Sequence, residues 1–262
     1  MNDYDQNKNT WDRLAREEYP LARPAGQKEF DKPEFITNPW GWIGPDVKGK
    51  KVLCLAAGGG KHSILFARAG ADTTVIDISP VMLELDRKLA REHNQQIRVV
   101  EGSMDQLGMF EVGEFDIVIQ PVATCYVPDI TAVYREVARV TKAGGLYISQ
   151  HKQPTSLQTG VRPIGVGYVI QERYYRTGPL PDVSGVNPVR EEGAREFLHR
   201  WDEILGSLCK NGFMIEDVNE PRHADFNASA GTFKHRSCYV APYIAVKARR
   251  KDERQSHSII LT

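Results

Sequence analysis

Three consecutive glycines, Gly58 to Gly60, interrupt an apolar run, and Asp77 ends the apolar run that follows. Glycine has no Cβ atom, so the backbone at these positions can turn sharply with a positive φ and approach a ligand closely. The carboxylate of Asp77 can accept hydrogen bonds from both hydroxyls of a ribose, and such charge-assisted bonds contribute ~1.5–3 kcal/mol each. These residue types in this order indicate a binding site for a nucleoside.

Two classes of nucleoside ligand compete for this pattern. A dinucleotide site uses G-x-G-x-x-G or G-x-G-x-x-A, which rests a pyrophosphate on the N-terminus of the following helix. Here Gly58-x-Gly60 is followed by Lys61, His62 and Ser63, so a serine takes the third small position. The fit to a dinucleotide is poor, but a glycine motif alone does not decide between the two classes.

Each of these residues also has a purely structural interpretation. The glycines can form an ordinary turn between a strand and a helix. Asp77 can cap the helix that begins at Pro80, and Asp105 can cap a short helix after the next strand. Three such features at the ends of three successive strands would then be a coincidence, whereas a binding site explains them together.

The elements that must position these residues alternate along the chain. Strand patterns occur at 51–56, 72–77, 97–102, 115–120 and 145–150, and helical patterns at about 61–69, 80–93 and 130–140. This alternation predicts βαβ units and a parallel sheet covered by helices on both faces. In such sheets ligands bind beyond the carboxyl ends of the strands, which is where the glycine turn and Asp77 lie.

Three segments flank or interrupt this alternation. Residues 1–46, with one short amphipathic helix, are predicted to form an N-terminal cover, and residues 47–249 the main domain. Residues 151–190 are rich in proline and glycine and predict an insertion with one strand-like run at 167–175. A helix bearing Phe197 to Leu208 and strands at 213–218 and 243–248 complete the domain, and residues 250–262 are predicted to be a mobile tail.

Composition favours a small-molecule partner. Lys+Arg and Asp+Glu both number 34, so the formal net charge of +0 favours neither nucleic acid nor a membrane surface as partner. The first residues lack the features of a signal peptide, and no apolar run reaches the ~18 residues of a membrane span. The four cysteines are far apart, and the irregular spacing of His223, Asp225, His235 and Cys238 does not indicate a metal site. We expect a cytoplasmic protein with no metal, either monomer or homodimer.

Five stretches of the chain carry a family resemblance. They are VLCLAAGGGKHS, VIDISPVML, EGSMDQL, FDIVIQPVATCYVPD and REVARVTKAGGLYIS. In this order and spacing they resemble the class I S-adenosylmethionine-dependent methyltransferases, in the branch of the ubiquinone- and menaquinone-type enzymes and many small-molecule methyltransferases. The resemblance spans Lys51 to about Gln150 and extends to the two final strands. It implies an α/β fold with a Rossmann-like, doubly wound sheet of seven strands, the last of them antiparallel.

The resemblance also implies which residues bind S-adenosyl-L-methionine and its product S-adenosyl-L-homocysteine. The implied contacts are Ala56, Ala57, Gly58, Gly60, His62, Asp77, Ile78, Met82, Ser103, Met104, Asp105 and Gln120. Among them, the turn contacts the methionine part, Asp77 the ribose, and Met104 with Asp105 the adenine. The chain departs from the family pattern at Cys54, where an acidic residue is usual, and at Ala56, where the first glycine is usual.

Methyl transfer from a sulfonium is an in-line displacement, in which alignment of the acceptor and exclusion of water matter most. A base is needed only if the acceptor is a hydroxyl, a protonated amine or a carbon acid. His151, after the fifth strand, and Tyr126, after the fourth, are the candidate catalytic residues, although each can equally be structural. The predicted acceptor contacts are Trp11, Tyr19, Tyr126, His151, Tyr174, Arg222 and His223.

The sequence leaves three functions open. The first is a small-molecule methyltransferase, for which oxygen, nitrogen, carbon and sulfur acceptors are all compatible because the recognisable residues serve the cofactor. The second is a cofactor-binding protein without catalysis, which the departures at Cys54 and Ala56 make plausible. The third is a nicotinamide-dependent oxidoreductase.

Overall fold

A computed structural model of the chain describes residues 2–185 and 187–252. Its sheet has seven strands in the order β3-β2-β1-β4-β5-β7-β6. The strands are β1 (Lys51–Leu55), β2 (Asp72–Asp77), β3 (Arg98–Glu101), β4 (Phe115–Gln120), β5 (Thr141–Lys152), β6 (Phe213–Asn219) and β7 (Tyr243–Arg250). Strands β1 to β5 pair in parallel, whereas β7 is antiparallel to both β5 and β6. The predicted seven-stranded α/β sheet with an antiparallel last strand is confirmed.

Helices connect these strands. They are α1 (Asp3–Arg16), α2 (Gln27–Asp31), α3 (Glu34–Thr37), α4 (His62–Arg68), α5 (Pro80–Glu92), α6 (Ile130–Val140), α7 (Pro154–Gln158), α8 (Ser207–Lys210) and α9 (Phe233–Arg236). The hydroxyl of Ser79 caps α5 by accepting a hydrogen bond of 3.0 Å from the Met82 amide. In the same way the Asp129 carboxylate accepts one of 2.8 Å from the Thr131 amide at the start of α6. No described helix is long and apolar enough to cross a membrane.

The core lies on both faces of the sheet. In β1, Leu53 and Leu55 face one apolar cluster while Val52 and Cys54 face the other, and all four side chains are fully buried. A strand buried on both faces reads as a continuous apolar run, which is why the pattern at 51–56 was recognisable. Burial raises the pKa of the Cys54 thiol, so this residue behaves as a small hydrophobe.

The region after β4 departs from the predictions in three places. Strand β5 continues to Lys152 rather than ending at Gln150, so His151 belongs to the sheet and not to the insertion. The predicted strand at 167–175 is absent, because the chain there forms only isolated bridges at Ile170 and Gly167 and finds no partner strand. The predicted helix from Phe197 begins only at Trp201, with a π-helical turn at Asp202–Gly206 before α8. The predicted tail lies mostly outside the described residues.

Helix α1 lies across the carboxyl ends of the strands. The side chain of Asn7 donates to the carbonyl oxygens of Tyr126 (2.9 Å) and Arg195 (3.1 Å). Asp12 accepts a hydrogen bond of 2.6 Å from the hydroxyl of Ser79, the residue that caps α5. These contacts hold the N-terminal segment over the end of the sheet at which the glycine turn lies.

Candidate active site

A cavity of about 460 Å³ opens at the carboxyl ends of β1, β2, β4 and β5. This volume is within the ~300–1,000 Å³ that small-molecule and cofactor sites occupy. The glycine turn and Asp77 form one side of the cavity, whereas Tyr126, Lys152 and Glu191 lie in the wall of its other part. The N-terminal segment closes it with residues that sequence reasoning did not identify, namely Leu21, Arg23, Phe35, Pro39 and Trp40.

The glycine turn is shaped by packing as well as by access. A Cβ atom on Gly58 would lie 2.9 Å from Cβ of Met82 and 3.0 Å from Cβ of Asp77, so only glycine fits there. Gly59 has a φ of +110°, a conformation that side chains rarely adopt. Ala56 at the start of the turn also has a positive φ, of 48°. The turn therefore carries backbone strain at the position where the family usually has glycine.

Asp77 is held at the edge of the cavity by its own backbone contacts. One carboxylate oxygen accepts a hydrogen bond of 2.9 Å from the Gly58 amide, and the other accepts one of 2.9 Å from the Ser79 amide. Each oxygen can still accept a second hydrogen bond. Burial raises the pKa of this carboxyl group, while the two amide donors act in the opposite direction. The side chain is thus fixed with free acceptor capacity at a cavity wall.

Asp86 lies beneath the turn and was not predicted as a site residue. Its carboxylate accepts a hydrogen bond of 2.8 Å from the Gly59 amide and another from the hydroxyl of Ser63. The residue is fully buried, and this burial raises its pKa to about 7. The sequence signal is a single carboxylate on the buried stripe of α5 between Met82 and Leu89.

The structure brings most of the predicted cofactor contacts to the cavity wall. These are Ala56, Ala57, Gly58, His62, Asp77, Ile78, Met82 and Met104. Burial, with a smaller effect of the neighbouring Lys61 charge, lowers the pKa of His62 to about 4, so its imidazole is neutral at pH 7. A neutral ring in this place can accept or donate a hydrogen bond without adding charge to the site.

Three predicted cofactor contacts lie behind the wall. Gly60 packs on α5, where a Cβ atom would lie 3.2 Å from the Leu85 carbonyl oxygen. Ser103 is buried, and Gln120 donates a hydrogen bond of 3.0 Å to the sulfur of Met104. Gln120 therefore supports a wall residue instead of lining the cavity itself.

Asp105 provides a test of whether the site fits an adenosine. It is not itself a wall residue, but it directly follows Met104, which is. Its Oδ1 atom is buried and has no hydrogen-bond partner among the described residues. Because an unpaired buried acceptor is costly, a ligand amino group is the kind of donor that this atom lacks. The residues present thus fit the adenine end of the implied cofactor.

Trp11, Tyr126 and His223 are the predicted acceptor contacts that line the cavity. The rings of Trp11 and Tyr126 meet edge to face with centroids 5.6 Å apart. His223 packs in the same manner on Tyr243, at 5.5 Å, and burial lowers its pKa. These rings can exclude water and lie against a planar acceptor.

The other predicted acceptor contacts lie elsewhere. Tyr19 is half-buried beside α1, and Tyr174 packs on the apolar cluster around Leu180. Arg222 lies 5.8 Å from the ring centroid of Phe226, in an open depression next to the cavity. None of the three belongs to the wall of the main cavity.

His151 does not have the position that was predicted for it. It lies within β5, is only 1% exposed, and is absent from the cavity wall. Its ring nitrogens are each 2.8 Å from a hydroxyl oxygen, those of Thr124 and Ser149. Burial lowers its pKa to about 3. This imidazole is tied into the core, so the geometry does not support it as the base that activates an acceptor.

The neighbour of His151 takes the position at the wall. Lys152 lines the cavity together with Tyr126 and Glu191. The Tyr126 hydroxyl donates a hydrogen bond of 2.6 Å to Glu191, and the Lys152 ammonium donates one of 2.8 Å to the same oxygen. Burial raises the pKa of Tyr126, so its hydroxyl stays protonated and acts as a donor. Sequence reasoning found Tyr126 but missed the two charged residues.

The strain at Ala56 leads to a stability prediction. A non-glycine residue in the left-handed region destabilises the folded state by ~1–2 kcal/mol, and replacing it with glycine removes this strain. Glycine also gives the unfolded chain more conformational freedom, which offsets ~0.5–1 kcal/mol of that gain. We therefore expect Ala56→Gly to raise the free energy of unfolding in urea by up to about 1.5 kcal/mol. Ala57→Gly is the matched control, because Ala57 has no positive φ and should lose ~0.5–1 kcal/mol. Equal losses in both variants would contradict the interpretation.

Comparison with known proteins identifies the family. Residues 53–149 match the family model described as a methyltransferase domain. The uncharacterised methyltransferase YbaJ of Bacillus subtilis (strain 168) is 34% identical over 187 residues, which cover 70% of this chain and 73% of that protein. A ubiquinone biosynthesis O-methyltransferase of Xanthomonas oryzae pv. oryzae is 33% identical over 126 residues, covering 47% of this chain and 52% of the relative. This chain thus matches about half the length of the Xanthomonas enzyme.

The fold agrees with this relationship. The crystal structure of an S-adenosylmethionine-dependent methyltransferase from Mesorhizobium loti superposes with a TM-score of 0.64 over 79% of this chain and 93% of its own, at 22% identity. A structural match at 22% identity establishes the fold, whereas the match to the Bacillus relative establishes the family. The chain belongs to the class I S-adenosylmethionine-dependent methyltransferases.

Proposed function

We propose that this enzyme transfers a methyl group from S-adenosyl-L-methionine to a small-molecule acceptor that binds in the same cavity. The observation that carries the proposal is that one cavity joins two kinds of wall. The glycine turn, Asp77 and Met104 form the wall suited to an adenosine. Trp11, Tyr126 and the Lys152 ammonium belong to the remaining wall, which leaves room and polar contacts for a second molecule.

In this scheme the protein's own residues bind the cofactor, orient it toward the acceptor and exclude water from the reacting atoms. When bound, the cofactor supplies an electrophilic methyl group on a sulfonium. Asp77 accepts hydrogen bonds from the ribose hydroxyls, and the turn at 56–60 lies along the methionine part. The side chains of Ile78 and Met104 bind the adenine through apolar contact, with Asp105 as acceptor for its amino group. Trp11 and the N-terminal segment shield the reacting atoms, which favours transfer over hydrolysis.

The shape of the cavity supports a small acceptor. The N-terminal segment crosses the strand ends, and its residues Phe35 and Trp40 are part of the wall. A polynucleotide would need an extended basic groove, and the formal net charge is +0. The Xanthomonas relative is named for methylation in ubiquinone biosynthesis. That relative also supports a small-molecule acceptor for the chain described here.

Calorimetry and product detection test the proposal in two steps. We expect the purified protein to bind S-adenosylmethionine and S-adenosylhomocysteine, and to show no binding of NADH. With cofactor that carries a labelled methyl group and a whole-cell extract separated by size, we expect label in the metabolite fraction. Label in the protein or nucleic-acid fraction would overturn the small-molecule acceptor. Binding without any labelled product would favour a cofactor-binding protein without catalysis.

A further inference from the structure

Four buried charges form a cluster at the cavity, and two of them, Lys152 and Glu191, line its wall. The Lys152 ammonium lies 2.8 Å from an oxygen of Glu191 and 3.0 Å from one of Glu196. The Arg190 Nε atom lies 3.3 Å from the other Glu196 oxygen, although the two atoms are not aligned for a hydrogen bond. All four side chains are less than a tenth exposed. Two positive and two negative charges balance within the cluster.

The cluster is asymmetric toward the cavity. Glu196 is fully buried behind the wall, whereas Lys152 and Glu191 line the cavity. One Glu191 oxygen accepts hydrogen bonds from Lys152 and from the Tyr126 hydroxyl. The other Glu191 oxygen makes no hydrogen bond to any described residue and is not among the fully buried unpartnered atoms. It is therefore an open acceptor at the wall.

Lys152 has a matching free donor. Its ammonium carries three hydrogens, and two of them are used on Glu191 and Glu196. Although burial acts to lower it, the charges of Glu196 and Glu191 raise the pKa of Lys152 above its ordinary value. The ammonium therefore stays protonated and cannot itself serve as a base. Lys152 and Glu191, which both line the cavity, thus keep one donor hydrogen and one acceptor oxygen without a hydrogen-bond partner among the described residues.

Buried ion pairs are a costly way to join an insertion to a strand, because well-packed apolar residues do so at least as well. A pair that keeps one open donor and one open acceptor at a cavity wall is suited instead to a ligand group that both accepts and donates. A hydroxyl is such a group. A protonated amine is not, because it has no lone pair for the lysine and carries a charge of the same sign.

We infer that Lys152 and Glu191 bind and activate the acceptor, and that the acceptor is a small molecule with an ionisable hydroxyl of the phenol or enol class. This inference rests on the proposed function. Lys152 donates a hydrogen bond to the acceptor oxygen, and Glu191 accepts the proton from it. Glu196, Arg190 and Tyr126 act as positioning residues, since they hold this pair in place.

The step balances in atoms and charge. The O–H bond of the acceptor breaks, and its proton moves to the free oxygen of Glu191. The oxygen lone pair then forms a bond to the methyl carbon as the carbon–sulfur bond breaks, and that bonding pair leaves on sulfur as a neutral thioether. The Lys152 ammonium stabilises the oxyanion before transfer. Glu191 loses its proton to water after the methyl ether leaves.

The first test measures which aromatic ligands bind beside S-adenosylhomocysteine. With the protein saturated in S-adenosylhomocysteine, 4-nitrophenol and its analogue nitrobenzene are titrated in separate cells. We expect 4-nitrophenol to bind about 10–100-fold more tightly, which corresponds to one charge-assisted hydrogen bond. We also expect its visible absorbance to be that of the phenolate, and calorimetry in buffers of different ionisation enthalpy to show uptake of about one proton per phenolate bound at about pH 8.

Two variants assign these signals to residues. Lys152→Met combined with Glu196→Gln keeps the cluster neutral, and should reduce the preference for 4-nitrophenol to about twofold or less. Glu191→Gln should bind the phenolate without proton uptake. The matched controls are Lys142→Met, at the opposite end of β5, and Glu216→Gln, in an ion pair on β6. Both controls should behave as the wild type, and calorimetry with S-adenosylhomocysteine confirms that every variant is folded.

Several results would overturn the inference. Equal affinity for 4-nitrophenol and nitrobenzene, or no binding of 4-nitrophenol to the saturated protein, would contradict an acceptor with a phenol- or enol-type hydroxyl. Phenol-type absorbance in the complex removes Glu191 as proton acceptor, as does unchanged proton uptake in Glu191→Gln. Failure of S-adenosylhomocysteine itself to bind contradicts the proposed function instead, so the two failures are distinguished.

Discussion

Asp77→Ala is expected to bind S-adenosylhomocysteine about 10²-fold or more weakly than the wild type. The carboxylate is fixed by the Gly58 and Ser79 amides and keeps acceptor capacity for both ribose hydroxyls. Two charge-assisted hydrogen bonds at ~1.5–3 kcal/mol each correspond to a loss of this size. Isothermal titration calorimetry measures it directly. Asp77→Asn keeps the size of the side chain and one acceptor oxygen, and should lose less.

Asp72→Ala is the matched control for this experiment. Asp72 is exposed and begins the strand that Asp77 ends, so it lies at the amino end of β2, away from the cavity. We expect it to bind S-adenosylhomocysteine as the wild type does. Loss of affinity in both variants would indicate a general effect on β2, and unchanged affinity in Asp77→Ala would mean that this carboxylate does not hold the ribose.

The pH dependence of binding adds a second measurement. Burial raises the pKa of Asp77, so its carboxylate takes up a proton at a less acidic pH than an ordinary aspartate does. The protonated form has lost acceptor capacity. We therefore expect the affinity for S-adenosylhomocysteine to fall as pH decreases through this raised value, and to be level above it. Asp77→Asn should lack this decrease.

The position of the glycine turn and Asp77 at the cavity was predictable because this part of the wall is built locally. The turn at 56–60 and Asp77 each follow directly from the end of a strand, and parallel strands bring such ends to one edge. Strand patterns of four to six residues locate those ends within one or two positions. Gly58 is also constrained by packing on Met82, so the same residue type is demanded for two reasons. Local pattern and global fold agree here.

The residues at the end of β5 were less predictable, because the length of a strand decides which of its residues belong to the sheet and which face each occupies. Side chains alternate along a strand, so His151 and Lys152 point to opposite faces of β5. Ending the strand at Gln150 made His151 the first residue beyond it, whereas two further residues of pairing with β7 place it in the core. The sequence pattern therefore predicted His151 at the cavity, whereas His151 is buried in the core and Lys152 lines the cavity.

Residues brought in by irregular segments left no periodic signal. Glu191 follows the insertion, immediately after the boundary predicted at 190, and reaches the wall through its contacts with Tyr126 and Lys152. Phe35 and Trp40 come from an N-terminal stretch whose helices are only four and five residues long. Their positions are set by tertiary packing, which neither hydrophobic period nor motif spacing records.

Asp86→Asn should change how the stability of the enzyme depends on pH. Burial raises the pKa of Asp86 in the folded state to about 7, compared with an ordinary aspartate value of 3.8. Between these values the unfolded chain has released its proton and the folded chain has kept it, so wild-type stability falls as pH rises. Above about 7 both states are ionised and the loss is complete. At ~1.36 kcal/mol per unit of pKa, the loss totals roughly 4 kcal/mol.

Asparagine cannot ionise, so the variant lacks this loss. The asparagine side chain has one acceptor oxygen instead of two, so it can accept a hydrogen bond from only one of the Gly59 amide and the Ser63 hydroxyl. This loss lowers the stability of the variant by the same amount at every pH. The difference in unfolding free energy, variant minus wild type, should therefore grow by roughly 4 kcal/mol between about pH 4 and pH 8 in urea titrations. Asp72→Asn, at an exposed position, should run parallel to the wild type. A parallel curve for Asp86→Asn would show that the carboxylate beneath the turn is already ionised at acidic pH, its charge stabilised by the two donors.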